Sequence, residues 1–521
     1  MGSDAIVFIV YLLILLSIGL YFSRKASKSV DSYLLGDRSL GPAVTALTMQ
    51  STSMSGFMFL GGPAEAFQRG WYAILYGIGD AGGSIVNLSV LGKRMRRMSE
   101  LLKALSPVEY LEKRYESTGV RIVGAVVSIV FLFAYVFAQF IASGKALEAL
   151  TGLSYEFALI IGVSVIIIYT VTGGYLAVVW TDFFQAIVMV VGMVGILIMG
   201  LIHVGGLSGL NASLAQIDAS YLSIWGKDLE FYGQWGVIIG AILIYSIGYM
   251  GLPHVVVRHM SMKSTKTVKT ATLWSAIYNQ AMAFSPYLLG LIGIILLPNI
   301  ADPEMVVSEL AYTFFPGLFA AILLSAVMAA IMSTSDSILM QAGTILSRDV
   351  YQRFINKAAS QNRMVFVSRI SILLAGVIGV IVAIKQPPSV FALVVFAFGT
   401  LGNAFLVPYI CSVYWRNSNK VGILCAMISG SVSHILWTIF DWQAATGIHP
   451  FLGGLIVSIL GVVIGNRFGT PPSKEILDIF EEAKGPRLLP SNIEKNISCE
   501  INPEAKSISI FVSRQLSLGG K

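Results

Sequence analysis

Long apolar runs dominate this sequence and set the terms of any fold it can adopt. A helix crossing the hydrocarbon core of a bilayer needs about 20 mostly apolar residues. Thirteen such stretches can be marked along the chain: 4–22, 41–63, 71–92, 121–143, 155–173, 182–203, 233–252, 273–297, 314–344, 365–384, 389–414, 421–440 and 450–466. Of the 521 residues 55% are hydrophobic and only 12% charged, about half the charge that a soluble surface carries. A string of soluble domains is excluded, and an all-α polytopic membrane protein is expected. Glycine is abundant, 51 residues, as close packing of membrane helices favours. Cys411, Cys425 and Cys499 can neither build a disulfide framework nor supply zinc-ligand spacing. The first stretch starts at Asp4 without a basic lead and is followed by Arg24 and Lys25 rather than a cleavage site, so it is expected to remain as a span.

A formal net charge of +7 could suggest a nucleic-acid partner, but the basic residues form no folded face or tail. They sit in short segments between the apolar runs. One set of alternate loops holds Arg24, Lys25, Lys28, Arg38, Lys93, Arg94, Arg96, Arg97, Lys103, Lys113, Arg114, Arg258, Lys263, Lys266, Lys269, Arg348, Arg353, Lys357, Arg363, Arg416 and Lys420; the other holds Arg69, Lys145, Lys227 and Lys385. Cytoplasmic loops carry the Lys and Arg excess, so the N-terminus is expected outside and the polar tail, 467–521, in the cytoplasm. The tryptophans fall near span ends, as interfacial belts require. The longest outer loop, 205–232, is expected to carry a short surface helix, and a glycosylation sequon begins there at Asn211.

Two spans are interrupted where lipid offers polar groups no partners. The second reads Thr48-Met-Gln-Ser-Thr-Ser-Met-Ser-Gly56; the seventh reads Tyr245-Ser-Ile-Gly-Tyr-Met-Gly-Leu-Pro253. Broken helices at corresponding positions of two inverted repeats mark the binding site of many secondary transporters. Spans 2 and 7 are five apart, as a five-plus-five repeat from span 2 to span 11 requires; packing kinks are the plainer alternative. The ninth span carries Ala329-Ala-Ile-Met-Ser333-Thr334-Ser335-Asp336-Ser337. Spacings of three and four share a helix face, so Ser333, Asp336 and Ser337 point together, as do Ala330, Ser333 and Thr334. Neutral hydroxyl and carbonyl oxygens suit a sodium ion, whereas magnesium and calcium sites recruit several carboxylates.

Carboxylates inside spans each need a partner, since a central Asp costs about 2.5–3.5 kcal/mol on insertion scales. Asp336 lies in the hydroxyl cluster. Asp182 follows Trp180-Thr181 at the start of the sixth span, where solvation or helix capping would explain it equally well. Asp80 lies in the third span among Gly79, Gly82 and Gly83; a structural hydrogen bond and a role in transport both remain open.

Five motifs, in this order, give the chain a likeness: Ser53-Met-Ser-Gly56 with Gly61-Gly-Pro63, Gly173-Gly-Tyr175 through Trp180-Thr-Asp182, Gly251-Leu-Pro-His254 followed by Arg258, Ala329-Ala-Ile-Met-Ser-Thr334, and Gly465-Asn-Arg-Phe-Gly-Thr470. Over about residues 5–466 the chain resembles the solute:sodium symporter family, in its bacterial proline and pantothenate branch. The resemblance implies a leucine-transporter-type fold with an extra N-terminal helix. Residues 1–22 would be that helix, 41–203 and 233–414 the two repeats, 421–466 two peripheral helices and 467–521 the tail. It implies a sodium ion held by backbone oxygens of Ser51, Met54 and Ala330 and the hydroxyls of Ser333 and Thr334. Some members hold another cation, here at the positions of Asp182, Ser333, Asp336 and Ser337; Asp336 stands where the two-sodium version has a hydroxyl. The substrate region would include Ser53, where proline symporters have aspartate, Phe57, where they have tryptophan, and Tyr245 and Tyr249. A carboxylated solute would be held by freed N–H groups near Ser55, Gly56 and Phe57. Proline-like and pantothenate-like solutes both remain open.

The expected function is therefore sodium-coupled import of a small carboxylated solute across the plasma membrane by alternating access, with lipid around the chain and no obligate protein partner implied. A proton-coupled carrier is the main alternative, because Asp336 could titrate. A channel would show rings of like side chains or a repeated filter, and neither is present. His203, His254, His259, His434 and His449 form no metal-binding pair at helical spacing. The Gly-Lys pairs beginning at Gly92, Gly144, Gly226 and Gly520 have Asn87, Gln139, Tyr221 and Gln515 where the first glycine of a phosphate loop belongs. An enzyme or an ATP-driven pump is not expected.

Overall fold

The computed structural model describes residues 3–385 and 390–484. The expected tail from residue 485 onward, with Cys499, and the start of the eleventh span at residue 389 lie outside the described residues. Every regular element described is helical, apart from one isolated bridge between Leu40 and Met262. Nine helices among the described residues are long and apolar enough to cross a membrane, and two more, Trp235–Ser246 and Pro450–Asn466, are apolar but shorter.

The difference from thirteen stretches has a physical cause: breaks that hydropathy alone cannot place. The chain opens with α1 (Ser3–Ala26) and reaches α2 (Pro42–Ser53), started by a proline at its first position and ended at Met54. After Ser55 and Gly56 a π-helical turn, Phe57–Gly61, leads into α3 (Gly62–Arg69) and α4 (Ile74–Val90). The second stretch is thus a broken helix. Between spans lies α5 (Pro107–Tyr115), capped by the Ser106 hydroxyl; α6 (Thr118–Thr151) follows, capped by Ser117. Next comes α7, 49 residues from Tyr155 to His203, with non-helical angles at Gly174. At about 1.5 Å per residue α7 would run some 70 Å, more than twice the hydrocarbon thickness. The helix breaks at Gly174, whose φ of +57° favours glycine and where a Cβ would sit 2.8 Å from the Tyr33 ring.

The loop 205–232 carries the expected helix, Gly206–Ile217, and the Asn211 amide oxygen accepts a hydrogen bond from the Trp71 indole at 3.0 Å. The seventh stretch is broken too: α8 (Trp235–Ser246), a 3-10 turn over Gly248–Gly251, then α9 (Pro253–Ser261). The eighth divides into α10 (Thr267–Met282) and α11 (Ser285–Leu296). The ninth is α12 (Gly317–Thr344), extended by π-helical turns to Ile355. The remainder are α13 (Gln361–Ala383), α14 (Val390–Tyr414), α15 (Lys420–Ile439), α16 (Pro450–Asn466) and the amphipathic α17 (Lys474–Ala483). In the most apolar windows of α12 and α14, 72% of residues are buried inside the protein, against 22% for α1. The hydroxyl-bearing helix is therefore at the centre, packed against α2, α6 and α7.

Candidate ion and solute site

Where α2 ends, its last carbonyls lose their helical donors. Met54 N–H still bonds to Gln50 O at 2.9 Å, but Gly56 N–H turns to the Gln139 side-chain oxygen at 2.9 Å and Phe57 N–H to the Ser55 hydroxyl at 3.2 Å. Each carbonyl left over at the broken end faces a hydroxyl from another helix. Ser333 Oγ lies 3.0 Å from Ser51 O, Thr334 Oγ1 3.0 Å from Thr52 O, and Tyr249 OH 3.5 Å from Ser53 O. Ser333 Oγ and Thr334 Oγ1 also lie 3.2 Å from Ala330 O. The two hydroxyls serve three carbonyls, those of Ser51, Thr52 and Ala330, so each proton is shared between a carbonyl of the broken α2 end and Ala330 O. Such a cluster is short of donors, and it sits at the negative end of a helix. Its chemistry favours a cation.

Of the five sodium ligands expected, the structure brings Ser51, Ala330, Ser333 and Thr334 together. Met54 forms the cap of the broken helix, and the Thr52 carbonyl, not foreseen, faces Thr334. Both Ser333 and Thr334 are fully buried.

A second cluster lies beside this one. Asp182 is fully buried, eight residues beyond the Gly174 bend and inside α7, so neither solvation nor capping accounts for it. Its Oδ2 accepts from Thr48 Oγ1 at 2.5 Å, Thr52 Oγ1 at 3.0 Å and Arg258 Nη2 at 3.0 Å. Arg258 also donates to Thr52 Oγ1 at 2.7 Å and to the hydroxyl of Ser337. Arg258 is therefore no loop charge. It belongs to α9 and is 1% exposed, which corrects its place in the cytoplasmic set. Its guanidinium stands among Asp182, Thr52 and Ser337, part of the position expected for a second cation. Asp336 accepts from Tyr169 OH at 2.7 Å; its Oδ1 has no hydrogen-bond partner, and no basic group described lies within ion-pair distance of it.

The expected substrate residues also converge. Phe57 and Tyr245 have ring centroids 5.2 Å apart, and Tyr245 and Tyr249 5.9 Å. Three rings not foreseen complete the group: Phe398, 4.8 Å from Tyr245 and 5.1 Å from Tyr249; Phe391, 5.3 Å from Phe57; and Tyr76, 5.9 Å from Tyr245. Ser53 turns its hydroxyl back to Met49 O at 2.7 Å. The N–H groups of Gly56 and Phe57 are engaged, by Gln139 and Ser55, so they are not the open carboxylate holders expected. Gln139 was missed, although a lone amide in the middle of an apolar helix is a visible signal; its Nε2 is buried without a partner.

The sequence model of the Sodium:solute symporter family matches residues 33–430. The chain belongs to this family. Among its relatives are an osmoregulated proline transporter of Bacillus subtilis, 30% identical over 478 residues that cover 90% of this chain and 96% of the relative, and a sodium/proline symporter of Staphylococcus aureus, 30% identical with 89% and 92% covered. A solved structure of a Na+-coupled sialic acid symporter, substrate-bound and outward-open, superposes with a TM-score of 0.75 at 22% identity over 91% of this chain and 99% of that one. A nucleobase-cation-symport-1 family transporter in a closed conformation gives 0.53 at 15% identity, with 86% and 98% covered. This sodium:solute symporter is thus a multi-pass membrane transporter and not an enzyme, with the fold of those two structures.

Proposed function

We propose that the protein imports a small carboxylated solute together with sodium, and that the solute is proline-like. The observation that carries this reading is the donor-poor oxygen cluster between α2 and α12. Sodium would lie among Ser51, Met54, Ala330, Ser333 and Thr334, supplying the positive charge those oxygens lack. The solute would lie beside Ser53, Ser55, Gly56, Phe57, Tyr245 and Tyr249, at the two helix breaks. Proline is favoured over pantothenate because the relatives that align along most of the chain are named for it.

The architecture that supports alternating access is a five-plus-five repeat, 41–203 and 233–414, within thirteen crossings. Residues 1–22 and 421–466 flank it, the N-terminus lies outside and 467–521 is cytoplasmic. Sodium holds α2 to α12 while the outer side is open, and so completes the solute site. When the inner side opens the two helices part and release both. One charge moving inward gains about 2.3 kcal/mol per 100 mV, enough to bias the cycle before any sodium gradient is counted. Coupling is reciprocal, so sodium tightens the solute and the solute tightens sodium.

The second cation is narrowed to Asp336. Arg258 matches the charge of Asp182, whereas Asp336 leaves one negative charge to be met by a second sodium or a proton. Uptake of labelled L-proline and of labelled pantothenate into proteoliposomes, with sodium or choline outside at fixed pH, tests the reading. Sodium-dependent proline uptake is expected. Equal uptake in choline rejects sodium coupling, and uptake driven by a pH gradient alone, abolished by Asp336→Asn, replaces it with proton coupling.

A further inference from the structure

Asp80 is a membrane-embedded carboxylate that the ion clusters do not use. It is 2% exposed, one oxygen accepts from Tyr249 OH at 2.8 Å, and the other has no partner. No basic side chain among the described residues makes an ion pair with it. Its position is built by backbone packing. A Cβ on Gly79 would meet Ile242 O at 2.1 Å, and one on Gly83 would meet Tyr245 O at 2.3 Å, so only glycines let α4 press this closely on α8. That contact sets Asp80 beside the broken seventh span. Tyr249 OH, which holds Asp80, also lies 3.5 Å from Ser53 O at the break of α2 and packs its ring on Tyr245 and Phe398. An acceptor with a free oxygen therefore stands one hydrogen bond from the region where the solute is placed.

A lone buried carboxylate is costly unless something matches its charge. We propose that Asp80 is the counter-charge for the protonated amine of the solute, which makes the substrate class zwitterionic amino or imino acids. This rests on the symporter reading above and deepens it. Ser53, at the break of α2, carries no charge; in this chain the negative charge is offered from α4. At the other end of such a solute, the unpartnered Gln139 Nε2 beside Gly56 is a donor suited to its carboxylate. A solute that has a carboxylate and no amine, such as pantothenate, would leave Asp80 unmatched.

The test compares L-proline with cyclopentanecarboxylate, its isostere without the nitrogen, as competitors of labelled proline uptake in proteoliposomes. The wild type is expected to discriminate at least tenfold in favour of proline, the scale of one charge-assisted hydrogen bond. Asp80→Asn is expected to raise the KM for proline at least tenfold and to erase the preference, while Asp80→Glu keeps part of it. Stabilisation of the purified Asp80→Asn protein by sodium, read as a melting shift equal to the wild type's, shows that the fold and the ion cluster survive. Equal competition by the two acids in the wild type overturns the inference, as does an unchanged KM in Asp80→Asn, and sodium coupling stands in both cases. Sodium-driven uptake of pantothenate with none of proline overturns it together with the proline assignment. Loss of all sodium dependence in the wild type defeats the symporter reading itself.

Discussion

At the scale of single residues, what matters is which oxygens lack a proton. Removing one hydroxyl from the α2–α12 cluster takes away a donor to an orphaned carbonyl and, in the proposed sodium site, an ion ligand. Ser333→Ala and Thr334→Ala are each expected to raise the sodium concentration for half-maximal uptake roughly tenfold, equivalent to about 1.4 kcal/mol; unchanged sodium dependence in both places the ion elsewhere. The Asp182–Arg258 pair behaves differently, because each partner strands the other. Asp182→Asn or Arg258→Gln alone is expected to destabilise the protein by about 3–5 kcal/mol, and the double variant by less than the sum, measured by thermal unfolding in detergent. Strict additivity would show that the two do not act as a pair. The Ser333–Ser337 run was legible in the sequence because hydroxyls in a membrane need a reason to be there. Arg258 was not, since an arginine near the inner end of a span looks the same as a loop charge until the fold brings Asp182, 76 residues away in sequence, against it.

At the scale of elements, hydropathy located the spans while their breaks moved the boundaries. The fifth and sixth stretches, 155–173 and 182–203, meet in one helical run, Tyr155–His203, and its break at Gly174 falls in the gap drawn between them. The breaks after Ser53 and around Gly248–Gly251 were visible, since polar residues, glycine and proline interrupted the apolar pattern. The connection between α5 and the extension of α12 was invisible, being made of long-range ion pairs. Glu109 on α5 binds Arg348 through both carboxylate oxygens, at 2.9 and 3.0 Å, and Arg121 reaches Asp349 at 2.9 Å. These contacts tie α5 and the base of α6 to the extension of α12. Burial pushes the Glu109 carboxyl up, but Arg348, Lys113 and the Leu105 N–H outweigh it and hold it down at about 2. A carboxyl lowered in the folded state stabilises fully above its unfolded value of about 4.3 and ceases to do so as pH falls through about 2. The stability difference between the wild type and Glu109→Gln is therefore expected to shrink as pH falls below about 4. A difference that does not shrink below about pH 4 would contradict this placement of the charge.

At the scale of the whole molecule, the expected crossings and orientation can be read by accessibility. In a variant with Cys411, Cys425 and Cys499 replaced by serine, a membrane-impermeant maleimide should label Ser208→Cys, in the outer loop helix, on intact cells. It should reach Ser473→Cys, before α17, only after permeabilisation. The reverse pattern inverts the topology. The seam between α2 and α12 has a wider consequence. With few protons of its own to bridge its oxygens, it is fastened best wherever an alkali cation is plentiful. With sodium seated there as proposed, salt composition on the two faces of the membrane would become a mechanical asymmetry: the same joint would be latched towards a sodium-rich medium and slack towards a sodium-poor cell interior, so the direction of pumping would be written into how the joint is closed rather than into any separate motor.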